Sequence, residues 1–364
     1  METPSRWRLP AALALDALLA FAGLFGVYRL TRTASLPAAL QAESGGLRVI
    51  GEPLPAAASG LRPGDILETM DGCAARSSAA ADFLLDGRRP GESVRLDVRR
   101  GDVRLRLDAR LVPRNGAFFP ATVAIVASLL FFAGIGMLVR RPGQAAAWAG
   151  HGLTAAMATA LLTIPGWHGL RPAYLGQGLT VLHILALAAV PVLFFRLTLL
   201  YPRRPRPPAA AWTAIPLLLA FGLAGWRIAA FRHALADPAG IDAYLAATAA
   251  NRAFFVAGIL AGVLALIQAY RTLPEEAARR RTRWVALGLG AGLAAVALLW
   301  QVPALLGGPL PGGGGFALAL AGLLLAAVAG AVLRFRHWDI DPAWNRQAVF
   351  TAMLLALLAV YGGV

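Results

Sequence analysis

The reactive side chains of this sequence are few: His151, His168, His183, His233, His337 and the single cysteine, Cys73. A membrane zinc protease needs HExxH on one helix, which sets two imidazoles on one face beside a glutamate base. No such motif occurs. A rhomboid-like serine protease needs a Gly-x-Ser-Gly nucleophile site opposite a helical histidine. His151 and His183 lie in apolar runs, but no such serine accompanies them. One thiol cannot form an intrachain disulfide, and CxxC metal or redox pairs are absent. His337 stands in Arg-His-Trp-Asp, which lacks the pattern of a phosphoacceptor helix. No catalytic residue, metal site or cofactor is therefore assigned to these residues. Polar groups inside apolar runs are functional candidates by default, because lipid makes them costly. Asp16, His183, Arg227, Gln268 and Gln301 are such groups. His183, in Val-Leu-His-Ile-Leu, reads as a helix–helix hydrogen-bonding residue.

What must hold these residues is a membrane-embedded body. Of 364 residues, 58% are hydrophobic and 15% charged, against about 25% charged in a soluble domain. Several apolar runs reach the ~18 residues that cross a bilayer core. Nine spans are read: about 10–28, 117–139, 145–165, 175–199, 211–231, 253–270, 284–306, 316–333 and 347 to the chain end. The first is read as a retained anchor, since no small-x-small cleavage site follows it closely. The basic excess is +15, carried entirely by arginine. It does not indicate nucleic acid, because the one water-soluble segment, 40–114, has a net charge of +1. With the N-terminus inside, the short inner segments hold 15 Arg and the short outer loops 3. That bias orients the chain with 40–114 outside. Nine spans would leave Val364 outside as well, so a further helix and a cytoplasmic output region are expected beyond it.

The insert has its own pattern. Val94, Leu96 and Val98 alternate with Arg95, Asp97 and Arg99. After the turn Arg100-Gly101-Asp102, Val103, Leu105, Leu107, Ala109 and Leu111 alternate with charged residues. This is an antiparallel hairpin with one buried face. Ser77 to Asp86 reads as a short helix with a Ser cap, and Asp71-Gly72 as a tight reversal.

The stretch Ala58-Ser59-Gly60-Leu61-Arg62-Pro63-Gly64-Asp65-Ile66, followed by Asp71-Gly72 and later Pro90-Gly91-Glu92, resembles bacterial-type PDZ domains over about 70 residues. Such domains add an extended peptide to a sheet edge, with a helix as the opposite wall. The resemblance implies that Gly45, Gly46, Leu47, Arg48 and Val49 supply the loop and edge strand, and that Ala80 and Leu84 lie on the facing helix. Glu43-Ser44-Gly45-Gly46 departs from the family's carboxylate-binding loop.

Two further blocks, around Arg281, Arg283 and Trp284, and around Arg336, Trp338, Asp339, Asp341, Asn345 and Arg346, look like the multi-pass sensor region of bacterial two-component histidine kinases. A weaker block is Tyr201-Pro-Arg-Arg-Pro-Arg206. Some of these kinases are similar in placing a PDZ-like domain after the first helix. The resemblance implies three parts: the anchor over 1–29, the PDZ-like extracytoplasmic domain over 40–114, and the sensor bundle over 117–364. It also implies a bacterial inner-membrane location, an extracytoplasmic peptide or protein ligand, a response regulator and a homodimer. ATP and Mg would belong only to a kinase region beyond Val364. Each arginine block also reads as a simple positive-inside anchor at the lipid surface. The alternative reading of the whole chain is a stand-alone PDZ-containing scaffold, or a transporter-like protein, that recruits envelope proteins.

Overall fold

The computed structural model describes residues 7–52, 60–116, 118–164, 169, 173–201, 209–274, 276, 279, 282 and 286–306. It consists of a helical bundle and a small sheet domain inserted between its first two long helices. The helices are α1 (Arg8–Leu30), α2 (Ser78–Leu85), α3 (Phe118–Arg140), α4 (Ala145–Leu162), α5 (Ala173–Leu200), α6 (Ala209–Ala236) and α7 (Ile241–Thr272). Helix α8 is a composite of a π turn (Ala286–Gly290), an α-helix (Ala291–Val296), a second π turn (Ala297–Gln301) and a final turn (Val302–Leu305). Six of these, α1, α3, α5, α6, α7 and α8, are long and apolar enough to cross a membrane. Helix α4 falls outside that group because Trp148, His151 and several small residues dilute it. It packs between α3 and α5.

Seven of the nine expected spans fall on these helices. Those at 316–333 and from 347 onward lie outside the described residues. The span placed at 253–270 is corrected: α7 starts at Ile241, so Arg252 belongs to a helix and not to a loop. The start is encoded locally. Asp237 accepts a hydrogen bond from the Ala239 N–H at 2.9 Å, and Pro238 opens the 3-10 turn Pro238–Gly240 that leads into α7.

Small residues set the helix crossings. At the α5–α7 contact, a methyl group on Gly258 would lie 2.6 Å from Pro191, and one on Gly262 would lie 2.5 Å from the Phe194 ring. Glycines one turn apart let the two backbones approach, as in other membrane helix pairs. Phe194, fully buried there, joins Val123, Leu153, Ile259 and Leu293 in the main bundle core.

The sheet domain is carried on a two-stranded stalk. Strands β1 (Ala34–Ser35) and β8 (Val112–Pro113) pair antiparallel directly after α1 and before α3. Asn115 donates to the Leu30 carbonyl at 3.0 Å and ties the two strands to α1. Above the stalk lie β2 (Ala39–Glu43), β3 (Gly46–Ile50), β4 (Ile66–Met70), β5 (Cys73–Ala74), β6 (Ser93–Arg100) and β7 (Val103–Arg110). The sheet order is β2-β3-β4-β6-β7, with β5 paired to β4. Its core is Leu47, Val49, Leu67, Met70, Val94, Leu96 and Val98, each at most 1% exposed. Burying each such side chain is worth ~1.5–3 kcal/mol.

The hairpin β6–β7 has the expected register, with Val94 opposite Ala109 and Val98 opposite Leu105. Its second strand needs a correction. Only Ala109 and Leu111 of its inward set are buried, Leu105 and Leu107 are half-buried, and Val103 is 58% exposed. Strand β7 is a sheet edge, and its first half runs past the core. The turn Asp71-Gly72 is a tight reversal with positive φ at both residues, 49° and 82°, as a type I′ hairpin turn requires.

Candidate functional site

The residues read as a peptide groove fall on the β2–β3 hairpin and on α2. Gly45 is the turn between β2 and β3, with φ of 94°. Gly46, Leu47, Arg48 and Val49 belong to β3, which pairs with β2 on one side and β4 on the other. The expected edge strand is therefore interior, and its Leu47 and Val49 point into the core. Arg48 is exposed and pairs with Glu43 at 2.6 Å. The free edge on this side of the sheet is β2. The sequence reading missed it because β2 has weak alternation: Ala39, Gln41 and Ala42 are all exposed.

The proposed helical wall is also taken. Ser77 caps α2 as expected, accepting from the Ala80 N–H at 3.1 Å. However, Ala80 is 2% exposed and, with Phe83 and Leu84, packs on Phe231, Ala234, Ile241 and Tyr244. These residues end α6 and begin α7. The Phe83 and Tyr244 ring centroids are 5.4 Å apart, and those of Phe231 and Tyr244 5.7 Å apart. Polar contacts frame this patch. Arg76 pairs with Asp242 at 3.3 Å. Asp86, at the end of α2, pairs with Arg29 of α1 at 3.6 Å and accepts from the Gly169 N–H at 3.1 Å. Asp82 pairs with Arg114 at 2.8 Å. Helix α2 and its C-cap Asp86 thus touch α1, Gly169 and the α6–α7 corner, all at one end of the bundle.

Tyr244 continues the contact inward. Its ring lies 5.6 Å from the Arg227 guanidinium, and its hydroxyl accepts from Arg227 Nη2 at 3.5 Å. Arg227 is 3% exposed. Around it lie His183 of α5, whose Nδ1 donates to the Ala160 carbonyl at 3.1 Å, and Asn251 of α7, whose amide donates to the Leu223 and Ala247 carbonyls at 3.1 and 3.0 Å. Arg252 reaches the Ala304 carbonyl of α8 at 2.7 Å. The depth can be counted along each helix. Arg227 is nine residues before the end of α6, His183 ten after the start of α5, and Asn251 ten after the start of α7. At 1.5 Å per residue, all lie about 15 Å below the sheet-bearing end.

A second polar pair lies toward the other end. Asp16 of α1, 4% exposed, faces His151 of α4, with Nε2 and Oδ2 3.6 Å apart. Thr154 donates to the His151 carbonyl at 3.0 Å, and Gly134 of α3 leaves the space that both residues occupy. The pair lies at the contact of the anchor helix with α4, where Asp16 Oδ2 and His151 Nδ1 have no hydrogen-bond partner among the described residues.

Of the polar residues singled out from sequence, Asp16, His183, Arg227 and Gln301 are buried, whereas Gln268 is exposed. Tyr244, Asn251 and Arg252 were missed because they were assigned to a loop. The Asp237-Pro238 start signal could have placed them on α7. Arg281, Arg283, Trp284, Arg336, Trp338, Asp339, Asp341, Asn345 and Arg346 lie outside the described residues. Cys73 is a free, half-exposed thiol on β5. Among the described residues no group of three or more His, Cys, Asp or Glu could hold a metal ion. The chain matches no family model, no curated protein and no solved structure.

Proposed function

We propose that this chain is the sensory and anchoring part of a bacterial signal-transduction protein, the N-terminal portion of a sensor histidine kinase with a PDZ-like domain outside the inner membrane. The observation that carries the reading is the unbroken line of contacts from α2 through Phe83 and Tyr244 to Arg227 inside the bundle. A peptide, protein or envelope signal that binds the sheet domain more tightly in its docked or its released state would shift the helices beneath it. The shift is limited by that difference in affinity. The inner ends of the helices would then pass the change to a cytoplasmic output that phosphorylates a response regulator, working as a dimer.

The test uses the complete gene product in inverted membrane vesicles with radiolabelled ATP. Phosphate incorporation that changes several-fold in Phe83→Ala supports the proposal. Absence of incorporation, or incorporation indifferent to Phe83, contradicts it.

One feature favours the scaffold reading as a second choice. The outer edge of β2, Ala39–Glu43, has no strand beside it among the described residues, and a free edge is what β-strand addition by an envelope protein uses. A partner captured on the sheet domain, with no phosphotransfer, would be the result expected of that function.

A further inference from the structure

We infer that the buried cluster around Arg227 is an oxyanion site, taking a phosphate or carboxylate group between α5, α6 and α7. The inference is independent of the sensor reading and starts from hydrogen-bond supply. Arg227 is 3% exposed, yet its Nε and Nη1 have no hydrogen-bond partner among the described residues. Thr248, one helical turn from both Tyr244 and Arg252 on α7, carries a buried hydroxyl that also has no partner. Arg252 and His183 add a second cation and a second ring to the same level of the bundle. The cluster is rich in donors, and its acceptors (the Tyr244 and Thr248 hydroxyls, Asn251 Oδ1, His183 Nε2 and backbone carbonyls) are all neutral among the described residues.

Two like charges at this depth repel each other and are costly without a counter-charge. The chain offers little to supply one. Outside the sheet domain there are eight acids: Glu2 near the N-terminus, Asp16, which faces His151 toward the other end of the bundle, and six in residues 115–364. Asp237 caps a turn and Asp242 pairs with Arg76, both at the sheet-bearing end. Glu275 and Glu276 follow the opposite end of α7, and Asp339 and Asp341 stand in the arginine-rich block near the end of the chain. An oxyanion satisfies the cluster as none of the described residues does. It accepts several N–H and O–H bonds at once, and charge-assisted bonds to guanidinium are the strong ones. The group could arrive on a lipid headgroup or as a free ion, and the chemistry of recognition is the same.

The test is thermal unfolding of the full chain in phosphatidylcholine nanodiscs, in three arms at matched ionic strength. The first has chloride only, the second inorganic phosphate, and the third has phosphatidylglycerol replacing part of the lipid. Ligand bound only by the folded state raises the apparent Tm, by about 5 °C or more near saturation. A rise with phosphate identifies a free ion as the source, and a rise with phosphatidylglycerol alone identifies a lipid headgroup. Either rise must vanish in Arg227→Gln and persist in part in Arg227→Lys. Thr248→Val, which keeps the shape, should weaken it and provides a readout if Arg227→Gln fails to fold. No rise in either arm overturns the site, as does a rise equal in wild type and in the Arg227 and Thr248 variants. No rise in wild type together with a rise in the Asp339→Asn/Asp341→Asn double variant also overturns it, since the counter-charge would then be internal.

Discussion

Replacing Ala80 by Arg should release the sheet domain from the bundle while leaving the sheet itself folded. Ala80 is 2% exposed and sits among Phe231, Ala234 and Tyr244. A guanidinium there is either buried without a counter-charge, at a cost of about 3–5 kcal/mol, or pushed out by separating the two surfaces. The docking equilibrium should therefore move by roughly two orders of magnitude or more. Hydrogen exchange of the full chain in nanodiscs should show faster exchange over 78–85 and 241–248. Protection over β6 and β7 should stay unchanged, because their core lies on the far side of α2. Equal loss across both regions would mean that docking and sheet folding are one cooperative unit.

Asp65→Asn should have the opposite signature and loosen the sheet domain from within. Asp65 is 1% exposed. Its carboxylate accepts two hydrogen bonds from Arg100, both at 2.8 Å, and one from the Arg62 N–H at 2.7 Å. Arg100 also donates to the Gly60 carbonyl, so this carboxylate closes the Gly60–Asp65 loop onto β6. Removing its charge should cost about 2–4 kcal/mol, a large share of the stability of a domain this small. Protease sensitivity of the segment 60–113 in the full chain is the measurement. Burial alone would raise the Asp65 carboxyl above the ordinary aspartate range. The Arg100 guanidinium and the Arg62 N–H more than offset that and hold it below. The corresponding stability is complete above pH ~4 and is lost as pH falls through the lowered value. Wild type should weaken at strongly acid pH, whereas Asp65→Asn should lose that component and keep only the acid dependence of the other paired carboxylates, such as Asp97.

Much of this architecture is local and can be read from neighbouring residues. The alternation in 93–100, the Asp71-Gly72 reversal, the Ser77 cap and the apolar lengths of α1, α3 and α5 each involve residues within a few positions of one another. Asp16, His183 and Arg227 also stand out, because a charge or imidazole in an apolar run is visible without knowing its surroundings. The partners of those residues are a different matter. Asp16 meets His151 across α1 and α4, and Arg227 meets Tyr244 across the α6–α7 corner. No periodicity encodes which helix lies beside which. The edge of the sheet escaped for the same reason: β2 and β3 are both short, and only their pairing reveals which is interior. Helix α2 has an ordinary amphipathic pattern that fits a groove wall and a docking face equally well. The choice between them is made by Phe231 and Tyr244, about 150 residues further along the chain.

Helix α2 rests on the α6–α7 corner, and this contact links the sheet domain to the bundle. The most direct measurement places a benzoylphenylalanine photocrosslinker at Phe83 in the full chain, irradiates native membranes, and maps the adduct by mass spectrometry. The expected result is an intramolecular adduct within residues 227–248, centred on Phe231 and Tyr244, that is lost in Ala80→Arg. An adduct confined to the sheet domain or to another protein, unaffected by Ala80→Arg, would contradict it.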